Sequence, residues 1–244
     1  MTSAVTDSIA ITPIAYIESP YKEKFAIPRQ PGLASAAKGK VILCNEANDP
    51  QMVRELAQYS HIWLLFVFHG TQNQGWKPLV RPPRLGGNKK IGVLATRSTF
   101  RPNPIGMSVV KLDKVEDNSK QVVLHISGLD LLDKTPIIDI KPYVPYSDAL
   151  SDAQAGFAQQ QPSKQLSVHF TAAAKAQIAQ FKSHYPDLAN LIEQVLKQDP
   201  RPAYKADKLD EKQYGMSLYD FNISWKMIDL TQVNVLSVVE TDKK

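Results

Sequence analysis

The sequence predicts a mainly β protein, a largely antiparallel barrel or curled sheet followed by a small α+β C-terminal module. Two observations carry this reading. Prolines, 17 in the 244 residues, cut the first two-thirds of the chain into short pieces, and short pieces make short strands. The helix–strand alternation of a doubly wound nucleotide-binding fold is missing, which leaves a sheet that closes or curls on itself.

In order along the chain, strands are expected at residues 9–17, 40–43, 61–68, 91–95, 107–115, 121–126 and 137–141. The 61–68 run is apolar on both alternations, with Ile62, Leu64, Phe66 and Phe68 on one side and Trp63, Leu65 and Val67 on the other. That pattern suits a central strand buried on both faces. Residues 49–59 read as a helix, with Asp49 as cap, Pro50 in the first turn, and Met52, Val53, Leu56 and Tyr59 at helical spacing. Residues 147–163, rich in Ala, Gln, Ser and Asp, read as a linker between a domain at 1–150 and one at 164–244. The second domain is expected to hold a strand at 166–170, a helix at 171–185 capped by Thr171, and a helix at 187–198 with Leu188, Leu191, Ile192, Val195 and Leu196 on one face. A loop at 199–204 and a closing hairpin, 219–227 then 233–239, complete it.

Composition removes several classes of function. With 43% hydrophobic and 22% charged residues the chain is an ordinary soluble globular protein. The longest apolar run, 62–68, is far too short to span a bilayer, and Met1 to Asp7 lacks the apolar stretch of a secretory leader, so a cytoplasmic protein with no membrane partner is expected. The single cysteine, Cys44, excludes an internal disulfide and a multi-cysteine metal site; no His pair has zincin spacing, and no metal is expected. Cys44 follows Val41, Ile42 and Leu43 and reads as a strand residue rather than a nucleophile. Glycine fingerprints of dinucleotide and P-loop sites are absent, as is the nucleophile elbow of the hydrolases.

Charge is one-sided. The net charge is +5, yet between Thr71 and Leu112 there is no Asp or Glu and there are eight Lys and Arg residues, from Lys77 to Lys111. Such a field attracts polyphosphate, because cationic side chains displace counterions from a nucleic-acid backbone. From charge alone, a solvated surface with no partner fits equally well. The densest part of this segment runs from Arg81-Pro-Pro-Arg84 to Thr96-Arg97-Ser98-Thr99-Phe100-Arg101-Pro-Asn-Pro-Ile-Gly106. A loop stiffened by Pro102 and Pro104 presents Arg97, Arg101 and Asn103 at little ordering cost. Arginine forks suit a carboxylate or phosphate, and Asn103 can read a base edge. An Arg-rich turn that bonds its own carbonyls is the alternative.

The string from Ala95 to Gly106 resembles the signature of the TsaA-like family, the β-barrel methyltransferases of tRNA N6-threonylcarbamoyladenosine. Further matching blocks are Ser19–Phe25, Pro28–Gly32, Phe66–His69, Val80–Gly87, Asp139–Tyr143, Asp199–Tyr204 and Asp220–Asn222, so the resemblance covers nearly the whole chain. It implies a single-sheeted antiparallel barrel that binds S-adenosylmethionine, acts on tRNA carrying threonylcarbamoyladenosine, and forms a homodimer. Carried over residue by residue, it implies cofactor contacts from Gln30, Pro31, Gly32, Phe68, His69, Arg97, Ile105 and the turn Leu129, Asp130, Leu131, Leu132 and Asp133. His69 otherwise reads as the hydrogen-bonded end of a strand. One departure stands out: the family commonly has Asp-Gly-Thr-Pro where this chain has Asp133-Lys134-Thr135-Pro136, so Lys134 must tolerate whatever φ the turn requires.

S-adenosylmethionine wants acceptors for a sulfonium and an ammonium, an apolar wall for adenine and a donor for its carboxylate; Asp133 with backbone carbonyls, Phe68 and Arg97 are the candidates. Asp139, beside Lys141 and Tyr143, is the expected base or its relay; the competing reading pairs Asp139 with Lys141 two residues on along the same strand face. Arg101 is the expected partner of the threonyl carboxylate. Arg84, Arg201, Tyr204, Asp220 and Asn222 are candidates for holding the tRNA, although packing on the domain core is the commoner fate of a tyrosine placed like Tyr204. The rival functions are a non-catalytic RNA- or nucleotide-binding barrel and a methyltransferase of another acceptor.

Overall fold

The computed structural model describes residues 9–118, 120–160, 165–202, 205 and 208–241. The first part holds β1 (Ala15–Glu18), β2 (Lys38–Leu43), β3 (His61–Val67), β4 (Leu79–Val80), β5 (Ile91–Gly92), β6 (Ile105–Asp117), β7 (Val122–Ser127) and β8 (Pro136–Pro142). Six of these close a barrel in the order β1-β2-β7-β6-β3-β8, and every neighbour pair is antiparallel. The barrel closes because one alternation of each strand is apolar. Ile17, Val41, Ile62, Leu64, Val110, Leu124, Ile126 and Ile137 point inward and are buried, which removes apolar surface from water. β4 and β5 form a separate two-stranded ribbon on the long excursion between β3 and β6.

The second part follows a single helical turn, α1 (Pro145–Asp148), and consists of β9 (Ser167–Phe170), α2 (Ala172–Gln180), α3 (Leu188–Lys197), β10 (Gln213–Leu218), β11 (Phe221–Met227) and β12 (Gln232–Glu240). The sheet order is β10-β11-β12-β9, with β9 parallel to β12. Thr171 caps α2 by accepting from the Ala174 N–H at 3.1 Å, and its hydroxyl also donates to the Leu236 carbonyl at 2.9 Å. Leu188, Leu191, Ile192, Val195 and Leu196 of α3 are all buried, as the helical spacing predicts.

The two parts share one hydrophobic cluster that runs from Ala15 to Val238. Their seam is held by backbone as well as by side chains. Tyr21 bridges Leu218, and the Tyr219 N–H donates to the Pro20 carbonyl at 2.7 Å. Gln194 of α3 accepts from the Ala36 N–H at 2.9 Å, and Lys38 pairs with Asp187 at 2.7 Å.

Several boundaries differ from expectation. The first strand starts at Ala15 rather than residue 9, after Pro13. Residues 49–59 are two 3₁₀ turns, Pro50–Val53 and Leu56–Gln58, because Glu55 between them takes a left-handed φ of 67°; the Asp49 side chain still caps the first, accepting from the Gln51 N–H at 2.9 Å. The 61–68 strand is buried on its inner alternation only: a barrel wall has one packed face, and Trp63, Leu65 and Val67 on the outer face are half-buried. The expected strand at 91–95 pairs over two residues and then turns at Val93–Ala95. α2 stops at Gln180 instead of 185, where the chain turns and Phe181 packs on Phe221 with ring centroids 4.7 Å apart. β4 and β10 were not legible; β10 carries Gln213, Gly215 and Ser217 on its outer alternation, so only Met216 and Leu218 mark its buried side. The 147–163 segment carries α1 and a turn at Gly156–Ala158, and its residues 161–163, like Tyr204, lie outside the described residues.

Candidate functional site

A cavity of about 610 Å³ opens at one end of the barrel, walled by the 22–30 loop ahead of β2, the 66–71 and 96–108 segments around β3 and β6, and the 130–135 turn between β7 and β8. That volume suits a ligand of cofactor size. Phe66 and Phe68 form its apolar wall, packed edge to face with centroids 5.2 Å apart. The rings fit because Gly106 opposite them has no side chain: a Cβ there would stand 2.5 Å from the Phe66 ring and 2.7 Å from the Phe68 ring.

The cationic loop is braced from within. Arg101 donates to the Thr96 carbonyl at 2.7 Å, the Thr96 hydroxyl donates to the Val93 carbonyl at 2.8 Å, and the Phe68 N–H donates to the Pro104 carbonyl at 2.8 Å. Arg97 donates to Gln30 Oε1 at 2.7 Å, tying this loop to the 22–30 loop across the cavity mouth. Lys77 sits 4.9 Å from the centre of the Phe100 ring, a cation–π contact that holds the base of the excursion.

The 129–135 turn is fixed just as firmly. Ser19 accounts for two bonds, its hydroxyl to the Leu131 carbonyl at 2.7 Å and its N–H to Asp133 Oδ1 at 2.9 Å. Lys22 pairs with Asp133 Oδ2 at 2.8 Å, and Lys134 takes the left-handed φ of 62° that the turn demands. Gly32, with φ 78°, donates to the Gly128 carbonyl at 2.8 Å and so links the 28–34 loop to this turn. Asp130 faces the cavity and accepts from the Ser108 hydroxyl at 2.6 Å. Burial pushes its carboxyl up to about 6, against the lowering effects of the Ser108 hydrogen bond and the nearby Arg97 charge. Burial lowers His69, and the Asp133 charge opposes part of that shift.

Of the residues expected at the cofactor site, Gln30, Phe68, His69, Arg97, Ile105, Asp130, Leu131 and Leu132 line this one cavity, together with Arg101. Pro31, Gly32, Leu129 and Asp133 do not line it. Leu129 is fully buried, and Asp133 has both oxygens engaged by Ser19 and Lys22, so it braces the turn and is not a free acceptor. Asp139, Lys141 and Tyr143 lie outside the cavity on the outer alternation of the barrel wall. Asp139 and Lys141 stand opposite Leu65 and Trp63 and form an ion pair at 3.0 Å, while Tyr143 packs on Trp63. The pairing of Asp139 with its strand neighbour is therefore what the structure contains. Asn103 is exposed at the loop tip outside the cavity, and Arg84 donates to the Gln160 carbonyl. Arg201 is buried in a two-pronged pair with Asp199, both bonds at 2.7 Å, which places it in the domain's packing rather than on an open face. Asn222 is exposed on β11.

Sequence reasoning missed Ser108, Lys24, Arg29, Thr71, Thr99 and Met107, all of which line the cavity. Ser108 had a signal: it is the polar residue on the inward alternation of β6, between Gly106 and Val110. Among the described residues no group of three or more His, Cys, Asp or Glu side chains is placed to hold a metal ion, and no helix is long and apolar enough to cross a membrane.

Comparison with known proteins bears on this site. Residues 16–149 match the model of the tRNA-methyltransferase O N-terminal domain, and residues 163–241 match that of the TrmO C-terminal domain. The chain belongs to the TrmO family. A TrmO-family relative from Escherichia coli, tRNA (adenine(37)-N6)-methyltransferase, is 51% identical over 216 residues, 88% of this chain and 92% of its own length. A putative S-adenosylmethionine-dependent methyltransferase, RcsF, of Pseudomonas aeruginosa is 44% identical over 96% of this chain and 99% of its own. The crystal structure of TrmO from Pseudomonas aeruginosa superposes with a TM-score of 0.80 at 40% identity, over 96% of this chain and 99% of that one.

Proposed function

We propose that this protein transfers a methyl group from S-adenosylmethionine to N6 of the N6-threonylcarbamoyladenosine at position 37 of tRNA. The observation that carries the reading is the convergence, in one cavity of a TrmO-family chain, of an aromatic wall, an arginine pair and a buried carboxylate. The relatives named as tRNA (adenine(37)-N6)-methyltransferases and as S-adenosylmethionine-dependent enzymes support the coarser statement, methylation of adenine(37) with that donor. The threonylcarbamoyl part rests on Arg101. It lines the cavity, has committed one donor to the Thr96 carbonyl, and offers the rest of its fork to a carboxylate such as the threonyl group carries.

The residues present fit the donor. Phe66 and Phe68 give ring faces and edges for an adenine and a sulfonium, Arg97 gives a donor for the amino-acid carboxylate, and His69, Ile105, Leu131 and Leu132 close the wall. When bound, S-adenosylmethionine supplies an electrophilic methyl group on a positively charged sulfur. The protein's part is alignment and exclusion of water: the loop braced by Thr96, Arg101 and Pro104 and the turn braced by Ser19 and Lys134 are ordered by their own hydrogen bonds, so little is left to organise on binding. Five cations, Lys22, Lys24, Arg29, Arg97 and Arg101, line the cavity against two carboxylates, Glu23 and Asp130, which favours an anionic RNA substrate at the mouth. Arg84, Asn103 and Asn222 are exposed and remain candidates for backbone or base contacts. A cytoplasmic setting and assembly as a homodimer belong to the same reading; Leu79 and Leu94, exposed along the excursion, are the apolar surface that a second copy would cover.

Labelled S-adenosylmethionine incubated with tRNA bearing or lacking the threonylcarbamoyl group tests this. Label in the modified tRNA alone is expected. Label in both would leave adenine(37) methylation and remove the threonylcarbamoyl requirement, and tight binding with no label in either would replace the enzyme by a binding module.

A further inference from the structure

We propose that the Asp130 carboxylate, positioned by Ser108, is the group that accepts the proton from N6 of the substrate base during methyl transfer. The inference rests on the functional reading above and assigns the proton step within it. N6 of a carbamoylated adenine is amide-like: its lone pair is delocalised into the ring and the carbonyl, so it becomes an adequate nucleophile only as its proton leaves. As the nitrogen–carbon bond forms and the carbon–sulfur bond breaks, the electron pair of the latter stays on sulfur. In the same step the N6 proton passes to a carboxylate oxygen of Asp130, leaving neutral products and a neutral acid.

Three groups that line the cavity can take a proton, and the structure separates them. Glu23 is committed elsewhere, since its Oε1 accepts from the Ser217 N–H at 2.9 Å and ties the 22–30 loop to β10. His69 is held neutral by burial, and protonating it would add a cation to a cavity already lined by Lys22, Arg97 and Arg101. Asp130 is different in both respects. Protonation removes a buried charge, and its carboxyl, raised to about 6, is ionised near neutral pH yet takes up a proton far more readily than an ordinary aspartate. Asp139 does not compete, because it lies on the outer wall paired with Lys141 at 3.0 Å.

Ser108 is the positioning residue. It is 2% exposed, it sits on the rigid β6 strand, and its hydroxyl donates to Asp130 Oδ1 at 2.6 Å, which fixes the carboxylate plane toward the cavity. The charge that acts on Asp130 comes from a neighbouring element: Arg97 on the loop before β6 favours the ionised form, while burial and Asp130 together raise the phenol of Tyr21 and keep it neutral. Lys22, Glu23, His69 and Arg101 complete the titratable or charged surroundings that the argument uses.

The test uses the full-length protein with threonylcarbamoylated tRNA. Asp130→Asn keeps shape and removes the base, so the single-turnover rate is expected to fall on the order of 100-fold when it is read at donor concentrations that saturate the variant by its own calorimetric Kd. The wild-type rate is expected to rise with pH through a limb near 6 that Asp130→Asn lacks. Ser108→Ala removes a hydrogen bond that favours the ionised carboxylate, so the limb should move to higher pH, and Ser108→Thr should restore it. In the protein without donor or RNA, the side-chain carboxyl carbon resonance of Asp130 should titrate near 6 and be absent from Asp130→Asn. An Asp130→Asn protein that turns over at the wild-type rate, or that loses donor binding while its saturated rate is intact, overturns the assignment. Wild-type protein that transfers no methyl group to any tRNA is a separate outcome: it removes the functional reading, and this proton step with it.

Discussion

At the scale of single residues, the site depends on one missing side chain, one buried charge and one backbone angle. Gly106→Ala would place a Cβ 2.5 Å from the Phe66 ring, so both aromatic rings must shift. Overpacking of this kind costs about 1–3 kcal/mol, and thermal melting should show a fall of several degrees together with weaker binding of S-adenosylmethionine. Asp130 makes an opposite prediction for stability. Its carboxyl sits at about 6 in the folded chain against an ordinary value of 3.8, so the folded state holds that proton more tightly than the unfolded state. The stability it contributes is present below about pH 4 and lost as pH rises to about 6. Asp130→Asn, which escapes that loss, should therefore melt higher than wild type at pH 7.5, by on the order of 2 kcal/mol, with the difference vanishing near pH 4. Lys134, at φ 62°, bears the strain that a glycine would avoid. Lys134→Val, β-branched at a left-handed position, should cost about 1–2 kcal/mol in denaturant titration, whereas Lys134→Gly should be close to neutral or mildly stabilising.

Among elements, the structure separates what local pattern encodes from what only closure of the barrel decides. The amphipathic α3 was legible because Leu188, Leu191, Ile192, Val195 and Leu196 fall on one stripe, and all five are buried. The Thr171 cap was legible too. Since its hydroxyl both accepts from the Ala174 N–H and donates to the Leu236 carbonyl, Thr171→Ala should destabilise by about 1–2 kcal/mol, measured as a shift in the urea midpoint at unchanged slope. The supposed helix at 49–59 misled because Met52, Val53, Leu56 and Tyr59 satisfy helical spacing while the left-handed Glu55 breaks the run, and nothing in the letters around Glu55 announces that angle. β4 was missed for another reason: two residues leave no alternation to detect, whereas its partner β5 falls at the start of the strand expected over 91–95. In the cavity, Phe66 read only as a buried strand residue, whereas the arginine loop and Phe68 were readable from composition and resemblance. The outward placement of Asp139 was not, because a one-residue bulge in β8 opposite Leu65 and Phe66 resets which alternation faces in.

For the molecule as a whole, charge and core make separate claims. Seven of the eight cations from Lys77 to Lys111 belong to the excursion that frames the cavity, Lys111 being on β6, and if about four of them meet phosphates, raising salt from about 50 to 200 mM should weaken tRNA binding on the order of 100-fold. A flat response in a filter-binding titration would count against RNA as the partner. The continuous cluster from Ala15 to Val238 has its own consequence. The barrel and its neighbour melt together or not at all, so calorimetry should record a single endotherm in which damage at α3 is felt at the mouth of the cavity. A protein severed within 147–163 would leave each half with a greasy scar at Tyr21 and Leu218, and the halves would have to find each other again before either regained its shape.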